Sequence, residues 1–388
     1  MTYRDNCTLP AEFLQGLAEH GLDALPQAIT LLLNAAMQAE REKYLGAAPY
    51  ERNPERRDYA NGYKDKTVTS RVGPLQVSVP QVRNGDFYPS SLEKGLRSER
   101  ALKLAVAEMY VQGVSTRRVA AVCEKLCGTE ISSSSVSRAA AELDGVLESW
   151  RNRPLGCFPY VYLDARYESV RQNGKVEDAA VLVAVGVDET GKRQVLGVSV
   201  ALSEHEVHWR EFLSSLQTRG LKGVRLIVSD DHSGLKAARK AVFGGVPWQR
   251  CQFHLQQNAQ AYVTTQEMKP VVAQDIRAIL TAGDRDEADR LIKRSIEKYH
   301  RTMPKLAAWM ETALPEGLTV LSFPEPHRRL LRTTNGVERV NKEIKRRTRV
   351  AGLFPNEASC LRLVSAILME ISEEWQTGKC YLTFTASS

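Results

Sequence analysis

Three acidic residues stand where chemistry, rather than surface solvation, explains a charge. Asp164 lies inside an alternating run, YVYLDARY, with Tyr162 on its own face and Leu163 and Ala165 on the other. Asp230 closes the continuous apolar run VRLIVSD. In open α/β sheets, functional groups gather at such strand ends, where loops leave room for ligands. Glu338 follows RTTNG, where Thr333, Thr334 and Asn335 can cap a helix start. A carboxylate in a first helical turn also gains simply from the helix dipole. Two carboxylates forced together repel unless a cation sits between them. Magnesium suits that place because it takes hard oxygen ligands and keeps water positions open. In phosphodiester cleavage two metal ions, about 3.5–4 Å apart, stabilise the attacking and leaving oxygens. Such a site can hydrolyse DNA and then direct the released 3′-hydroxyl at a new phosphate. Asp164, Asp230 and Glu338 are therefore expected as catalytic residues and as ligands for two Mg2+ or Mn2+ ions.

A second constellation is Cys251-Gln-Phe-His254. One Cys-x-x-His is half of a zinc site, and the sequence offers no obvious other half. A role supporting the active site, with His254 near the metals or the substrate phosphate, is favoured over a ligand role. Asn335 is assigned the same supporting role. Asp231 adjoins Asp230 and is the fallback ligand, while His232 is a loop histidine that could touch substrate.

The elements that must position these groups differ along the chain. Residues 10 to 45 read as helix, with apolar positions at Ile29, Leu32, Leu33, Ala36 and Met37. Period-two alternation at Val68, Val72, Leu75, Val77 and Val79, broken by Gly73-Pro74, predicts a β-hairpin, and Asn84-Gly85 marks a turn. Residues 98 to 144 read as three short helices: one ending near Gly113, one capped by Ser115 or Thr116 and stopped by Gly128, one capped within Ser132 to Ser134. That is a helix-turn-helix candidate, although an ordinary helical bundle suits the pattern nearly as well. Arg117, Arg118, Ser133, Ser135, Ser137 and Arg138 would be its DNA-contacting side chains.

From residue 157 the order becomes β-β-β-α-β-α-β, ending in a short strand over WQRCQFH, and this is the order of a ribonuclease H-like fold. If its first and fourth strands are neighbours, Asp164 and Asp230 meet. Strand patterns vanish from about 255 to 320, which reads as a helical insertion. Two further helices follow, separated by Gly352 and Pro355. The first begins with Glu338 and continues with Arg339, Asn341, Lys342, Lys345, Arg346 and Arg349, taken as phosphate contacts, although basic runs also form ordinary solvated faces. The expected domains are a helical region at 1–60, a hairpin at 61–97 and a helix-turn-helix at 98–150. An α/β catalytic core follows at 155–258, an all-helical insertion at 259–325, and the rest of the core with C-terminal helices at 326–388.

The 388 residues exceed one ordinary core, so several domains are expected. A net charge of +7 favours a polyanionic partner without proving one. The seven cysteines are odd in number and form no Cys-x-x-Cys pair, which argues against a disulfide framework or zinc ribbon and fits a reducing cytosol. No signal peptide and no long apolar span is visible, so neither a membrane nor secretion is expected.

The segments NGYKDKTVTSRVGPLQVSVPQVRNGDFYPS, YLDARYESVRQNGKV, VSDDHSGLKAARKAVFGGVPWQRCQFH and RTTNGVERVNKEIKRRTRVAGLFPN, in this order, resemble the Mutator-type bacterial insertion-sequence transposases. The resemblance runs through nearly the whole chain. It implies an Asp-Asp-Glu triad at Asp164, Asp230 and Glu338 on a ribonuclease H-like domain, and a Cys-x-x-His signature at Cys251 and His254. Glu338 follows Asp230 by 108 residues (338 − 230), room for the helical insertion such enzymes carry. The resemblance further implies double-stranded DNA as partner, both terminal inverted repeats and target, with no small-molecule substrate. It implies a homodimer in the bacterial cytoplasm, associated with the nucleoid, and a copy-out route through circular DNA. A DNA-binding regulator would not need all three acids. A repair or RNA nuclease would need neither end recognition nor strand transfer.

Overall fold

The structure, a computed structural model, describes residues 18–48, 51, 54–92, 100–127, 131–349 and 352–384. It divides into two compact units, Met1–Glu142 and Leu143–Ser388.

The first unit opens with helix α1 (Leu25–Leu45), which stops at Gly46 in a left-handed conformation, φ +68°. The expected start at residue 10 lies outside the described residues. Strands β1 (Ala60–Ser70) and β2 (Gly73–Val82) form the expected antiparallel hairpin, pairing Val68 with Leu75. The hairpin buries Val68, Leu75, Val77 and Val79 against Met37, with Ile29 and Leu33 beside them. Leu32 and Ala36, read above as part of the apolar stripe, are exposed instead. A helix crossing a two-stranded ribbon buries only a narrow i, i+4 stripe, and Ile29, Leu33 and Met37 occupy it.

Three short helices follow: α2 (Arg100–Val111), α3 (Thr116–Cys127) and α4 (Ser133–Ala141). Ser115 accepts from the Arg118 amide at 3.3 Å and Ser132 from the Ser135 amide at 3.1 Å, so both expected caps are made. Gly128 lies outside the described residues. Val106, Val119, Cys123 and Val136 form the common core.

The second unit begins with α5 (Asp144–Arg151). This segment was expected to close the preceding domain, but Arg362 grips Asp144 through two hydrogen bonds of 2.6 and 2.7 Å, within the second unit. Five strands come next: β3 (Tyr160–Gln172), β4 (Lys175–Val187), β5 (Arg193–Ala201), β6 (Leu226–Ser229) and β7 (Trp248–Arg250). The sheet order is β5-β4-β3-β6-β7, antiparallel from β5 to β3 and parallel from β3 to β7. Helices α6 (Glu206–Thr218) and α7 (Ser233–Val242) cover one face, where Trp209, Leu213, Leu216 and Leu235 pack on Leu163, Leu182 and Ile227. Cover on both faces explains why the run from Ala179 to Val187 is buried without alternation.

The strand expected over 248–254 ends at Arg250. The Cys251 amide still bonds the Ser229 carbonyl at 2.7 Å, and then the chain turns into α8 (Gln252–Ala259). Helices α9 (Met268–Leu280), α10 (Arg285–Tyr299) and α11 (Pro304–Ala313) join α8 around a core of their own: Leu255, Val272, Ile276, Ile292, Leu306 and Met310. After α12 (Glu325–Leu331), helices α13 (Asn335–Thr348) and α14 (Glu357–Thr377) return to the sheet. Ser372 of α14 accepts from the Val195 amide at 3.1 Å. Among the described residues no helix is long and apolar enough to cross a membrane.

Candidate active site

Strand register brings the first two acids together. Tyr162 of β3 pairs with Val228 of β6 in parallel; Asp164 and Asp230 each lie two residues further on. Parallel strands keep step, so the two carboxylates emerge side by side where β6 ends and β3 continues. The face of β3 that carries Asp164 also carries Tyr162, Arg166 and Glu168. Every one of these meets a C-terminal element. The Tyr162 hydroxyl donates to the Leu330 carbonyl at 3.1 Å. Asn341 Nδ2 donates to Asp164 Oδ2 at 2.8 Å, Arg166 donates to the Asn341 carbonyl, and Thr348 donates to Glu168 at 3.0 Å. Helix α13 therefore rides along β3, and its first turn delivers Glu338 to the strand ends.

Cys251 and His254 complete the cluster. Because Cys251 caps α8 rather than continuing a strand, the three-residue step puts both side chains on one helical face. The Cys251 sulfur, a His254 ring nitrogen and a Glu338 carboxylate oxygen all lie within 4.8 Å of one another. His254 Nδ1 is 3.9 Å from Asp230 Oδ2. Thr334, expected among the helix caps, makes no side-chain cap bond. Its amide and hydroxyl donate instead to Cys251 Sγ at 3.4 and 3.3 Å.

The electrostatics follow from burial and crowding. Burial foremost pushes the Asp164 carboxyl up to about 7, and the nearby Glu338 and Asp230 charges push the same way; the Ala165 amide and His254 oppose them. The adjoining Cys251 is the main cause that raises His254 to about 9, against burial and with help from Asp230 and Asp164. Burial would raise the Cys251 thiol, but the donors His254 and Thr334 outweigh it and hold it below its usual value. Glu338 Oε1, His254 Nδ1 and Asn341 Oδ1 are buried with no hydrogen-bond partner among the described residues. Orphaned atoms of this kind ask for a ligand.

Asp231, the fallback, is turned away from this cluster. It pairs with Arg250 at 2.9 Å and Lys236 at 3.2 Å, while His232 lies 3.5 Å from Glu204. Asn335 is exposed at the start of α13, as are Arg339, Lys342, Lys345, Arg346 and Arg349 along it. Arg346 is bonded to Glu343 at 2.7 and 2.9 Å. Asn341, read from sequence as a DNA contact, spends its amide on Asp164. In the first unit Arg117, Arg118, Ser137 and Arg138 are exposed, and Ser135 is half-buried and accepts from Arg138 at 3.1 Å. Ser133 starts α4, and its side chain lies outside the described residues. Sequence reasoning missed Thr334 as a sulfur donor; the only signal was its polarity, which a cap explained equally well.

A mixed sheet with acids converging at its parallel strand ends is the setting, and the kinship is plain. The chain belongs to the Mutator family of transposases, matching "Transposase, Mutator family" over residues 10–378. It is 61% identical over 370 residues, 95% of each chain, to the transposase for insertion sequence element IS406 of Burkholderia multivorans. Identity is 43% over 361 residues, 93% of this chain and 90% of the other, to the transposase for element ISRM5 of Rhizobium meliloti. It is 34% over 388 residues, 97% of this chain and 98% of the other, to the transposase for IS256 in transposon Tn4001 of Staphylococcus aureus.

Proposed function

We propose that this chain is a DNA transposase that binds the terminal inverted repeats of its insertion sequence and catalyses cleavage and strand transfer at Asp164, Asp230 and Glu338. One observation carries the reading: three acids from β3, β6 and α13 converge without a lysine or arginine paired to any of them among the described residues. The donor set fits divalent ions. Glu338 Oε1 is a buried acceptor without a partner among the described residues, and crowding of like charge helps hold Asp164 at about 7. Mg2+ or Mn2+ held by these acids would supply stabilisation of charge on the attacking and leaving oxygens. Asn341 fixes the orientation of Asp164 by donating to Oδ2. Protonated His254 lies beside Asp230 and offsets part of the acid charge before substrate arrives. The exposed cations Arg339, Lys342 and Lys345 on α13 and Arg349 at its C-cap recur at helical spacing and would track DNA phosphates.

In the same reading, the sheet with α13 and α14 is a ribonuclease H-like core, and the helices from α8 to α11, with their separate core, are the insertion within it. Helices α2 to α4 are a helix-turn-helix module for the repeats, and the enzyme works as a homodimer. The test is a strand-transfer assay with Mg2+ or Mn2+, a labelled terminal-repeat duplex and a target plasmid, beside Asp164→Asn. Joined product from the unaltered protein alone supports the proposal. Cleavage without joining favours a nuclease, and repeat-specific binding without chemistry favours a regulator.

A further inference from the structure

We propose that Cys251, His254 and Glu338 form a binding site for one thiophilic divalent cation of the zinc type. Their ligand atoms, all within 4.8 Å of one another, are the one group of three such side chains found among the described residues. A tetrahedral zinc ion with ligands at about 2.0–2.3 Å holds those ligand atoms roughly 3.3–3.8 Å apart. Modest rotation of the half-buried His254 and Glu338 side chains closes that gap, while buried Cys251 stays fixed.

Two further observations fit the site. Thr334 donates both its amide and its hydroxyl to Cys251 Sγ, the outer support that a coordinating sulfur takes. Glu338 Oε1 and His254 Nδ1 are buried without a hydrogen-bond partner among the described residues, Nδ1 having only its 3.9 Å approach to Asp230. The ligands number three, which leaves a fourth position open to solvent or substrate. The chemistry is selective, since sulfur and imidazole suit zinc, whereas magnesium takes oxygen. The sequence motif supplied two of the three ligands; the fold supplies the third by carrying α13 to the end of β7. A consequence follows for the hard ions: zinc at this site withdraws Glu338 from Asp164 and Asp230, so zinc opposes magnesium-supported cleavage. That competition rests on the role proposed above for Glu338; the site itself does not.

The test uses the full chain with Co2+ and Zn2+ as probes. Co2+ should produce a sulfur-to-cobalt charge-transfer band that Zn2+ abolishes by displacement. Cys251→Ser should lose the band and weaken Zn2+ binding about 100-fold, while Cys360→Ser keeps both. Glu338→Gln should keep the band and weaken Zn2+ about tenfold. No band in the unaltered protein, or a band that survives Cys251→Ser, overturns the site. Should Cys251→Ser not fold by circular dichroism, His254→Gln and Glu338→Gln decide; unchanged Zn2+ affinity in both also overturns it. A protein that shows the band yet never cleaves DNA upholds the site and defeats the transposase reading alone.

Discussion

Two clusters of charge stand next to each other at the strand ends, and they are built in opposite ways. In one, Arg250 contacts Asp231 at 2.9 Å and Glu316 at 3.2 Å, and Lys236 contacts the same acids at 3.2 and 2.6 Å. Two cations answer two acids. In the other, Asp164, Asp230 and Glu338 crowd together with His254 as the nearest compensating group. Adjacent residues in the chain, Asp230 and Asp231, feed one cluster each. Balanced charge ties β7, α7 and the turn at Glu316 together. Unbalanced charge stores repulsion that an external cation relieves.

The largest effect should separate the two neighbours. Asp164→Asn, Asp230→Asn and Glu338→Gln should each lower metal-supported strand transfer roughly a thousandfold or more, whereas Asp231→Asn should stay within about tenfold. Equal damage from Asp231→Asn would erase the distinction. Stability should show the reverse order. Arg250 is 3% exposed, and Arg250→Ala should cost about 2–3 kcal/mol in urea unfolding, because it removes a buried cation and leaves Lys236 alone to answer two acids. Asp164→Asn should cost nothing at neutral pH.

A smaller effect is pH-dependent. The folded protein holds a proton on Asp164 up to about 7, while the unfolded chain releases it near its ordinary value. Stability from this group is therefore lost as pH rises from about 4 to about 7. His254, raised to about 9, adds a loss of the same sign from about 6.5 to about 9. The melting temperature of metal-free Asp164→Asn, relative to the unaltered protein, should accordingly rise between pH 5 and pH 8. A flat difference would deny that burial, helped by the neighbouring acids, raises Asp164. The smallest effect is on the salt dependence of DNA binding. Lys345→Ala and Arg349→Ala should each reduce the slope by about 0.9, and Arg346→Ala by less, since Glu343 already holds Arg346. Slopes unchanged from the unaltered protein in all three variants would place this helix face away from DNA.

Much of the acid cluster was legible because each acid interrupts a pattern. Asp164 breaks a strand alternation, Asp230 ends an apolar run, and Glu338 opens a basic helix. The hairpin and the strand order were legible for the same reason, as periodicity reports burial. What stayed hidden depends on long-range pairing. Nothing local in RTTNG distinguishes a Thr334 that caps a helix from one that bonds a sulfur 83 positions earlier. Asn341 looks like any polar residue on a basic helix until α13 is laid along β3. Leu32 and Ala36 looked buried because an apolar pattern does not state how wide a partner the helix meets.

The delivery of Glu338 by α13 also has a meaning in time. A ribosome that has placed Asp230 must add 108 more residues (338 − 230) before the third acid exists. At elongation speeds of about 5–20 residues per second, that is roughly 5–20 s. Thr334 and Arg332, which anchor α13 to Cys251 and Gln252, arrive only just before Glu338. Once β7 is made, the nascent chain has its sheet and two of its acids, and it still lacks the helix that brings the third acid to them.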